Sequence, residues 1–247
     1  MNKVDHATPK PAYWVASSLE DLRAFPATVQ REIGRAVRVA QLGGKHESAK
    51  PLKGFKGASV LEVVENHDGD TYRAVYTVRL AESVYVLHVF QKKSKKGVQT
   101  PKHVIELIKH RLRTAGARRS GTEGSNMSDE TKVTPSSGNV FADLGLPNAA
   151  EELAKTDLAF EISRIIEERG LTQVEAAEIM GVDQPKVSAL VRYRLDGFSM
   201  ERLYRFLNAL GRDVEIIVRP KPKSREHGTL SVTRKAERPR VRRATKV

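Results

Sequence analysis

The stretch VYVLHVFQKKSKKGVQTPKHVIELIKHRL, residues 84 to 112, decides the fold of the N-terminal half. Its first seven residues are rich in β-branched and aromatic side chains, which predicts a buried strand from Val84 to Phe90. Thr100 and Pro101 have the form of a helix N-cap and a first helical residue, and apolar residues then recur at helical spacing. Between strand and helix lies a cationic cluster made of Lys92, Lys93, Lys95 and Lys96. Fixed positive charge at a sheet edge favours a polyanion in a groove over a small ligand, although a solvated charge run is the alternative.

A second strand is predicted by TYRAVYTV, residues 71 to 78. Alternation puts Tyr72, Ala74 and Tyr76 on one face and Arg73 on the other. An arginine among apolar strand positions needs a partner if it is buried, and it binds a phosphate bidentately if it faces a groove. Arg73 is therefore a candidate phosphate ligand.

The segments around these strands predict an α+β fold. Two short helices, the second opened by Pro26 and stopped at Gly43, precede three or four strands, and a helix from Lys102 to Arg113 follows them. We expect a helical hairpin packed on a mostly antiparallel sheet.

Composition limits the function classes. The 247 residues contain no cysteine, which excludes disulfides and thiolate metal sites. No apolar run approaches the roughly 20 residues of a membrane span, and the N-terminus lacks a hydrophobic signal segment, so we expect a cytoplasmic protein. The net charge of +13 is unevenly spread, with +10 over residues 1 to 118, −6 over residues 128 to 218 and +9 beyond. This asymmetry predicts two modules that attract each other.

The segment between the modules is polar, rich in glycine and serine and without periodicity, and Met127 lies in it like a second start. We therefore predict a domain at 1–115, a flexible linker at 116–138, a second domain at 139–220 and a disordered basic tail at 221–247. Met127 in this position indicates that two coding units are joined here, naturally or by construction.

The second module carries a helix-turn-helix pattern in LTQVEAAEIMGVDQPKVSALVR, residues 171 to 192. Thr172 with Glu175 has the form of a capping box, Gly181 makes the turn, and Asp183 caps the following helix. The first residues of that second helix face base edges in such a motif. A further helix and a short strand from Val214 to Val218 are expected, so that the domain is mostly helical. The predicted DNA contacts are Thr172, Gln173, Gln184, Lys186, Ser188 and Arg192.

The N-terminal half resembles HigB-like toxins of phage-related type in the RelE/ParE superfamily. The resemblance lies in LKGFKGASVLEV (52–63), TYRAVYTV and LHVFQKK followed by TP and a helix. It implies a metal-independent endoribonuclease, an mRNA interferase that cleaves messenger RNA on the ribosome and needs no cofactor. The implied RNA contacts are Lys53, Lys56, Lys95 and Lys96.

For that chemistry an enzyme needs cations for the charge that develops on the phosphate, a base and an acid. Arg73 and Lys92 are the candidates for stabilising the phosphate, with Lys93 on the opposite strand face as the competitor of Lys92. His88 is a candidate base, although a mid-strand histidine is more often a core residue, and a lysine with a lowered pKa is the competing base. Glu62 matches the family's strand glutamate and is expected to orient Arg73.

Residues 139 to 220 resemble HigA-like antitoxins of the Cro/repressor-like (XRE) helix-turn-helix class, through NVFADLGLP (139–147), the helix-turn-helix segment and FSMERLYRFLNALGRDVEIIV (198–218). The two resemblances together imply a toxin–antitoxin system in one chain. The second half would inhibit the first, bind operator DNA as a repressor that regulates its own transcription, and form a homodimer on a palindrome. Two alternatives are a DNA-binding regulator with an inactive toxin-like domain, and an N-terminal half that poisons DNA gyrase.

Overall fold

A computed structural model describes residues 8–55, 60–78, 82–92, 100–119, 132–224 and 228–233. In chain order the elements are β1 (Ala12–Val15), α1 (Ser18–Arg23), α2 (Ala27–Gln41), β2 (Ala49–Pro51), β3 (Val60–His67), β4 (Asp70–Thr77), β5 (Val84–Lys92), α3 (Lys102–Arg119), β6 (Val133–Pro135), α4 (Val140–Asp143), α5 (Ala149–Glu168), α6 (Gln173–Met180), α7 (Gln184–Val191) and α8 (Met200–Ala209). The α+β expectation is confirmed.

One sheet organises the N-terminal half, in the strand order β2-β3-β4-β5-β1-β6. All pairings are antiparallel except that of β1 with β5. The β3–β4 hairpin closes through Asp68 and Gly69, which have φ values of +50° and +82°. Two consecutive left-handed residues match the right-handed twist of the flanking strands, so this turn fixes the register.

The two faces of the sheet pack against different helices. Leu61, Ala74 and Tyr76 belong to a core that includes α1 and α2. Val60, Val75 and Leu87 belong to a core with Val104 and Ile108 of α3. Because strand residues alternate between faces, Arg73 and Glu62 lie on the α3 side.

The helices α5 to α8 form the second core, and the halves share apolar residues across their boundary. Phe141 of α4 and Leu144, which follows this helix, are buried in the core of the N-terminal half. In return, Val39 of α2 is buried in the core of the helical half. The halves therefore pack as neighbours and are not merely tethered.

The segment predicted as linker is partly regular structure. Helix α3 continues to Arg119, and β6 adds a strand beside β1 with Trp14 opposite Thr134. The sequence predicted the end of α3 at Arg113 and did not predict β6, because a three-residue strand depends on a distant pairing partner and not on local periodicity. Residues 120–131, including Met127, lie outside the described residues.

The expectation of a strand from Val214 to Val218 is wrong. These residues run without regular secondary structure, with Val214 packed against the helical core. A strand requires a ladder with a neighbour, and β propensity alone does not supply one. Of the predicted tail, residues 225–227 and 234–247 lie outside the described residues.

Candidate nucleic-acid interfaces

The arginine in β4 is buried and held by a carboxylate. Arg73 is 6% exposed, and its Nη1 donates to Glu62 Oε1 at 2.7 Å. The same oxygen accepts from Thr100 Oγ1 at 2.9 Å. Glu62 is therefore in position to orient Arg73. The Thr100 hydroxyl links the residues that precede α3 to this ion pair.

An aromatic pair lies beside Arg73 on the same face of the sheet. Phe90 is opposite Arg73 in the β4–β5 register, and its ring stacks on His88 with centroids 5.2 Å apart and planes inclined by 17°. Both side chains are partly exposed. Lys92 lies opposite Thr71 two pairs further along, which puts it on the Arg73 face as well.

His88 is held in one protonation state by α3. Arg111 Nη1 lies 2.9 Å from His88 Nδ1, and because a guanidinium only donates, Nδ1 must accept. Burial, then the positive charge of Arg111 and then that of His103 lower the pKa of His88 to about 4. At neutral pH the ring is therefore uncharged and carries its proton on Nε2. Nε2 can donate a hydrogen bond, and Nδ1, which accepts from Arg111, does not serve as a base.

Of the other predicted RNA contacts, Lys53 is exposed before β3. Lys56, Lys93, Lys95 and Lys96 lie outside the described residues. Sequence reasoning did not single out Lys50 of β2. It lies opposite Glu62 in the β2–β3 register, so its side chain is on the same face of the sheet. Only the strand register brings it there, so no local signal marked it. The part of the chain that the structure describes contains no group of three or more potential metal ligands.

The helix-turn-helix segment has the predicted local structure. Thr172 Oγ1 accepts from the Glu175 backbone N–H at 3.2 Å, and Glu175 Oε2 accepts from the Thr172 backbone N–H at 2.8 Å. Gly181 ends α6 with a φ of +64°, a conformation that glycine adopts without strain. The capping box and the glycine turn set the angle at which α7 follows α6.

The residues predicted to contact DNA are exposed or partly exposed, and two of them bond to each other. Gln184 Nε2 donates to Gln173 Oε1 at 2.6 Å, so the starts of α6 and α7 are joined. Thr172, Gln184, Lys186 and Arg192 are exposed, and Gln173 and Ser188 are partly exposed. Lys186 Nζ lies 3.7 Å from Asp183, whereas Arg192 turns toward the N-terminal half.

Buried ion pairs join the two halves. Arg38 of α2 binds Asp157 of α5 through two bonds of 2.7 and 2.8 Å, and both side chains are almost fully buried. Arg35, which is 0% exposed, donates to Glu32, Glu152 and Asp196. The bonds from Arg35 and Arg38 to Glu152, Asp157 and Asp196 are contacts of the kind that the charge distribution predicts between a basic and an acidic module.

The same boundary contains groups with displaced pKa values. Burial raises the pKa of Glu32 to about 7, against the lowering effect of Arg35. Burial also raises the pKa of Glu65 and lowers that of His46 to about 4. Burial at this boundary therefore favours the uncharged forms of Glu32 and His46.

Two family models match the chain. Residues 20–113 match the family described as phage derived protein Gp49-like (DUF891), and residues 140–219 match a helix-turn-helix domain. The chain joins a Gp49-like domain to a helix-turn-helix domain. The predicted DNA-binding class of the second half is thereby confirmed at the level of the domain.

A solved structure titled "Putative XRE Family Transcriptional Regulator" is 47% identical over 36% of this chain and 100% of its own, with a TM-score of 0.35. No curated protein matches the sequence. Among the described residues, no helix combines the length and apolar character needed to cross a membrane.

Proposed function

We propose that the chain is a toxin–antitoxin pair of the HigBA kind in one polypeptide. The Gp49-like domain acts as a ribosome-dependent endoribonuclease, and the helix-turn-helix domain restrains it and represses transcription of its own gene. One observation carries the proposal: the helical half buries charged and apolar side chains against α2, whereas the Arg73–Glu62 pair lies on the opposite face of the sheet. Binding of the second half thus leaves the candidate site intact.

The proposed reaction is attack of an RNA 2′-hydroxyl on the adjacent phosphate, which forms a 2′,3′-cyclic phosphate and breaks the bond between phosphorus and the 5′-oxygen of the next nucleotide. A lysine of the cationic cluster takes the 2′-hydroxyl proton as the base, and the leaving 5′-oxygen takes up a proton from solvent. Arg73 and Lys92 stabilise the charge that develops on the phosphate oxygens, and Lys93 is the further candidate beside Lys92. Glu62 orients Arg73 through the 2.7 Å bond. His88 donates a hydrogen bond from Nε2, and the Phe90–His88 stack offers a platform for a base.

We propose that the second half inhibits the Gp49-like domain by making it too large to enter the ribosomal decoding site, and not by occupying the groove that binds RNA. Arg38, Arg35 and Glu65 bind the helical half from the face of the sheet that α2 covers. A substrate held in a ribosomal decoding site requires the enzyme to enter a narrow space, and a docked helical domain enlarges the enzyme. A short flexible connection also raises the mutual concentration of the halves to roughly millimolar, which favours the docked state.

The helical half is proposed to read operator DNA with α7. Gln184 and Lys186 approach base edges, and Gln173 and Thr172 contact phosphates. The net charge of −6 over residues 128 to 218 limits the DNA affinity of one subunit, which favours a homodimer on a palindromic site.

The second candidate is a DNA-binding regulator with a catalytically inactive Gp49-like domain. The observation that favours it is the burial of Arg73, whose guanidinium is engaged by Glu62. A decayed enzyme would keep this pair as a structural ion pair.

Induced expression of residues 1–119 beside the full chain tests the proposal. We expect growth arrest and codon-phased 5′ ends of cellular messenger RNA from the short form alone. Arg73→Gln in the short form is expected to abolish both, with immunoblots used to match protein levels. Arrest that persists in the Arg73→Gln form, or no arrest from the short form at equal levels, would favour the regulator.

A further inference from the structure

The turn that follows α7 in the helix-turn-helix domain contacts the N-terminal half through two arginines. Arg192 Nε lies 3.2 Å from each carboxylate oxygen of Glu47. Two residues on, Arg194 Nη2 lies 3.0 Å from Glu65 Oε2. The contact therefore begins directly where the proposed recognition helix ends.

The backbone of this turn is fixed by the same contact. Tyr193 has a φ of +59°, a left-handed conformation that costs energy in a residue other than glycine. Its ring packs against His46 with centroids 5.2 Å apart, and its carbonyl accepts from Arg35 at 3.3 Å. Residues of the N-terminal half thus hold the position of the side chains on either side of Tyr193.

The two arginine pairs differ in exposure. Glu65 is 3% exposed, so Arg194, whose own side chain is 51% exposed, is held by a buried carboxylate. The side chains of Arg192 and Glu47 are 54% and 50% exposed, so solvent and other ligands reach them. A guanidinium binds a carboxylate and a phosphate with the same N–H donors. The Nε donor that Arg192 directs at Glu47 is then not offered to DNA.

We propose that Glu47 of the Gp49-like domain competes with the DNA backbone for Arg192, and so lowers the affinity of the helix-turn-helix domain for duplex DNA. The inference rests on the proposed DNA-reading function and names the contact through which the N-terminal half tunes it. By linkage, bound DNA weakens the Glu47–Arg192 contact by the same factor.

Removing the charge of Glu47 releases Arg192 for a phosphate. Each phosphate neutralised adds about 0.9 to the slope of log affinity against log salt. Glu47→Gln should therefore steepen this slope by about one and tighten DNA binding about two- to fivefold at low salt, the range of an exposed ion pair. The side chain is half exposed, so the substitution leaves no cavity.

The matched control is Glu106→Gln. Glu106 is an exposed carboxylate on α3 that pairs with Lys109, so its substitution makes the same change in net charge away from α7. Full-length wild type, Glu47→Gln, Glu106→Gln, Arg192→Gln and the Glu47→Gln/Arg192→Gln double variant are titrated into labelled duplex DNA from the region directly upstream of the coding sequence. Fluorescence anisotropy at several salt concentrations gives the affinity and the slope.

We expect the steeper slope in Glu47→Gln alone and its loss in the double variant. Equal slopes for Glu47→Gln and Glu106→Gln, while Gln184→Ala still weakens binding, would overturn this inference and leave the DNA-binding proposal standing. A gain that survives in the double variant would also overturn it. An absence of DNA binding by all variants would refute the DNA-binding proposal and this inference together.

Discussion

The ring of Phe141 lies against the backbone of Gly34 so closely that a methyl group on Gly34 would come within 2.9 Å of Phe141 Cε1. Gly34 is in α2 of the Gp49-like domain, and Phe141 is in α4 at the start of the second half. Phe141 is 0% exposed, so the ring has no free direction in which to move. The absence of a side chain at one position of α2 thus creates the space that the other half fills.

Gly34→Ala should loosen this contact. Alanine normally stabilises a helix relative to glycine by about 0.5 to 1 kcal/mol, but overpacking a filled site costs about 1 to 3 kcal/mol. We expect a net loss of unfolding free energy in urea. Gly116→Ala in α3 is the matched control, because no atom of the described residues lies within 4 Å of its added carbon, and it should be neutral or stabilising. Stabilisation by both substitutions would contradict the role of Phe141.

Asp157→Asn should be severely destabilising, because it leaves Arg38 charged and nearly buried. Breaking a buried pair from one side typically costs about 3 to 5 kcal/mol, whereas replacing both partners with apolar residues is often neutral. The double variant Arg38→Met/Asp157→Leu should therefore recover most of the loss. Denaturant unfolding of the three proteins measures it, and equal stability of single and double variants would count against the pair.

The stability of the chain should depend on Glu32 near neutral pH. Its pKa is raised from 4.5 to about 7 on folding, so its contribution is fully present below 4.5 and is lost as pH rises through 7. A displacement of this size corresponds to about 3 kcal/mol. His46, with its pKa lowered from 6.5 to about 4, has the opposite sign, since its contribution is lost as pH falls through that range.

Glu32→Gln separates the two effects. In this variant the unfolding free energy should still rise with pH toward 6.5, because His46 and His88 still titrate, and it should fall less than in wild type as the pH rises through 7. Wild type should instead lose stability as the pH rises from 6.5 through 7. Glu106→Gln, which alters an exposed pair on α3, should keep the wild-type profile. Parallel profiles for wild type and Glu32→Gln would show that Glu32 does not cause the loss of stability near neutral pH.

Arg111 should fix the tautomer of His88. Nitrogen NMR of the imidazole is expected to show a protonated Nε2 at neutral pH and no further protonation until the pH approaches about 4. Arg111→Gln should raise the pKa of His88, because it removes a nearby positive charge. Lys109→Gln removes a charge on the same helix, where Lys109 pairs with Glu106, and should leave the His88 spectrum unchanged. A protonated Nδ1 in wild type would refute the assignment.

Local signals were enough to predict most elements. The alternation in TYRAVYTV marks β4, and the capping box at Thr172 with the turn at Gly181 marks the helix-turn-helix. The charge distribution predicted that the halves attract. It could not predict that Arg38 would meet Asp157, because that pairing depends on how two domains pack and not on sequence spacing.

The candidate site was predictable to the same extent. Arg73 and Glu62 stand out in their strands, and the structure brings them together. Lys50 and Arg111 were not predictable, since the first depends on the β2–β3 register and the second on a contact between α3 and β5. His88 was correctly located in its strand, but only its partner on α3 indicates how its ring is protonated.

Strand β6 gives the second half a further effect on the first. It pairs with β1, whose other neighbour is β5, and so it covers what would otherwise be an open edge of the sheet. An uncovered edge offers free N–H and C=O groups to any other chain and templates aggregation. A Gp49-like domain separated from the second half would therefore expose the unpaired edge of β1 and associate with itself. Self-association and turnover would then limit its lifetime in a cell.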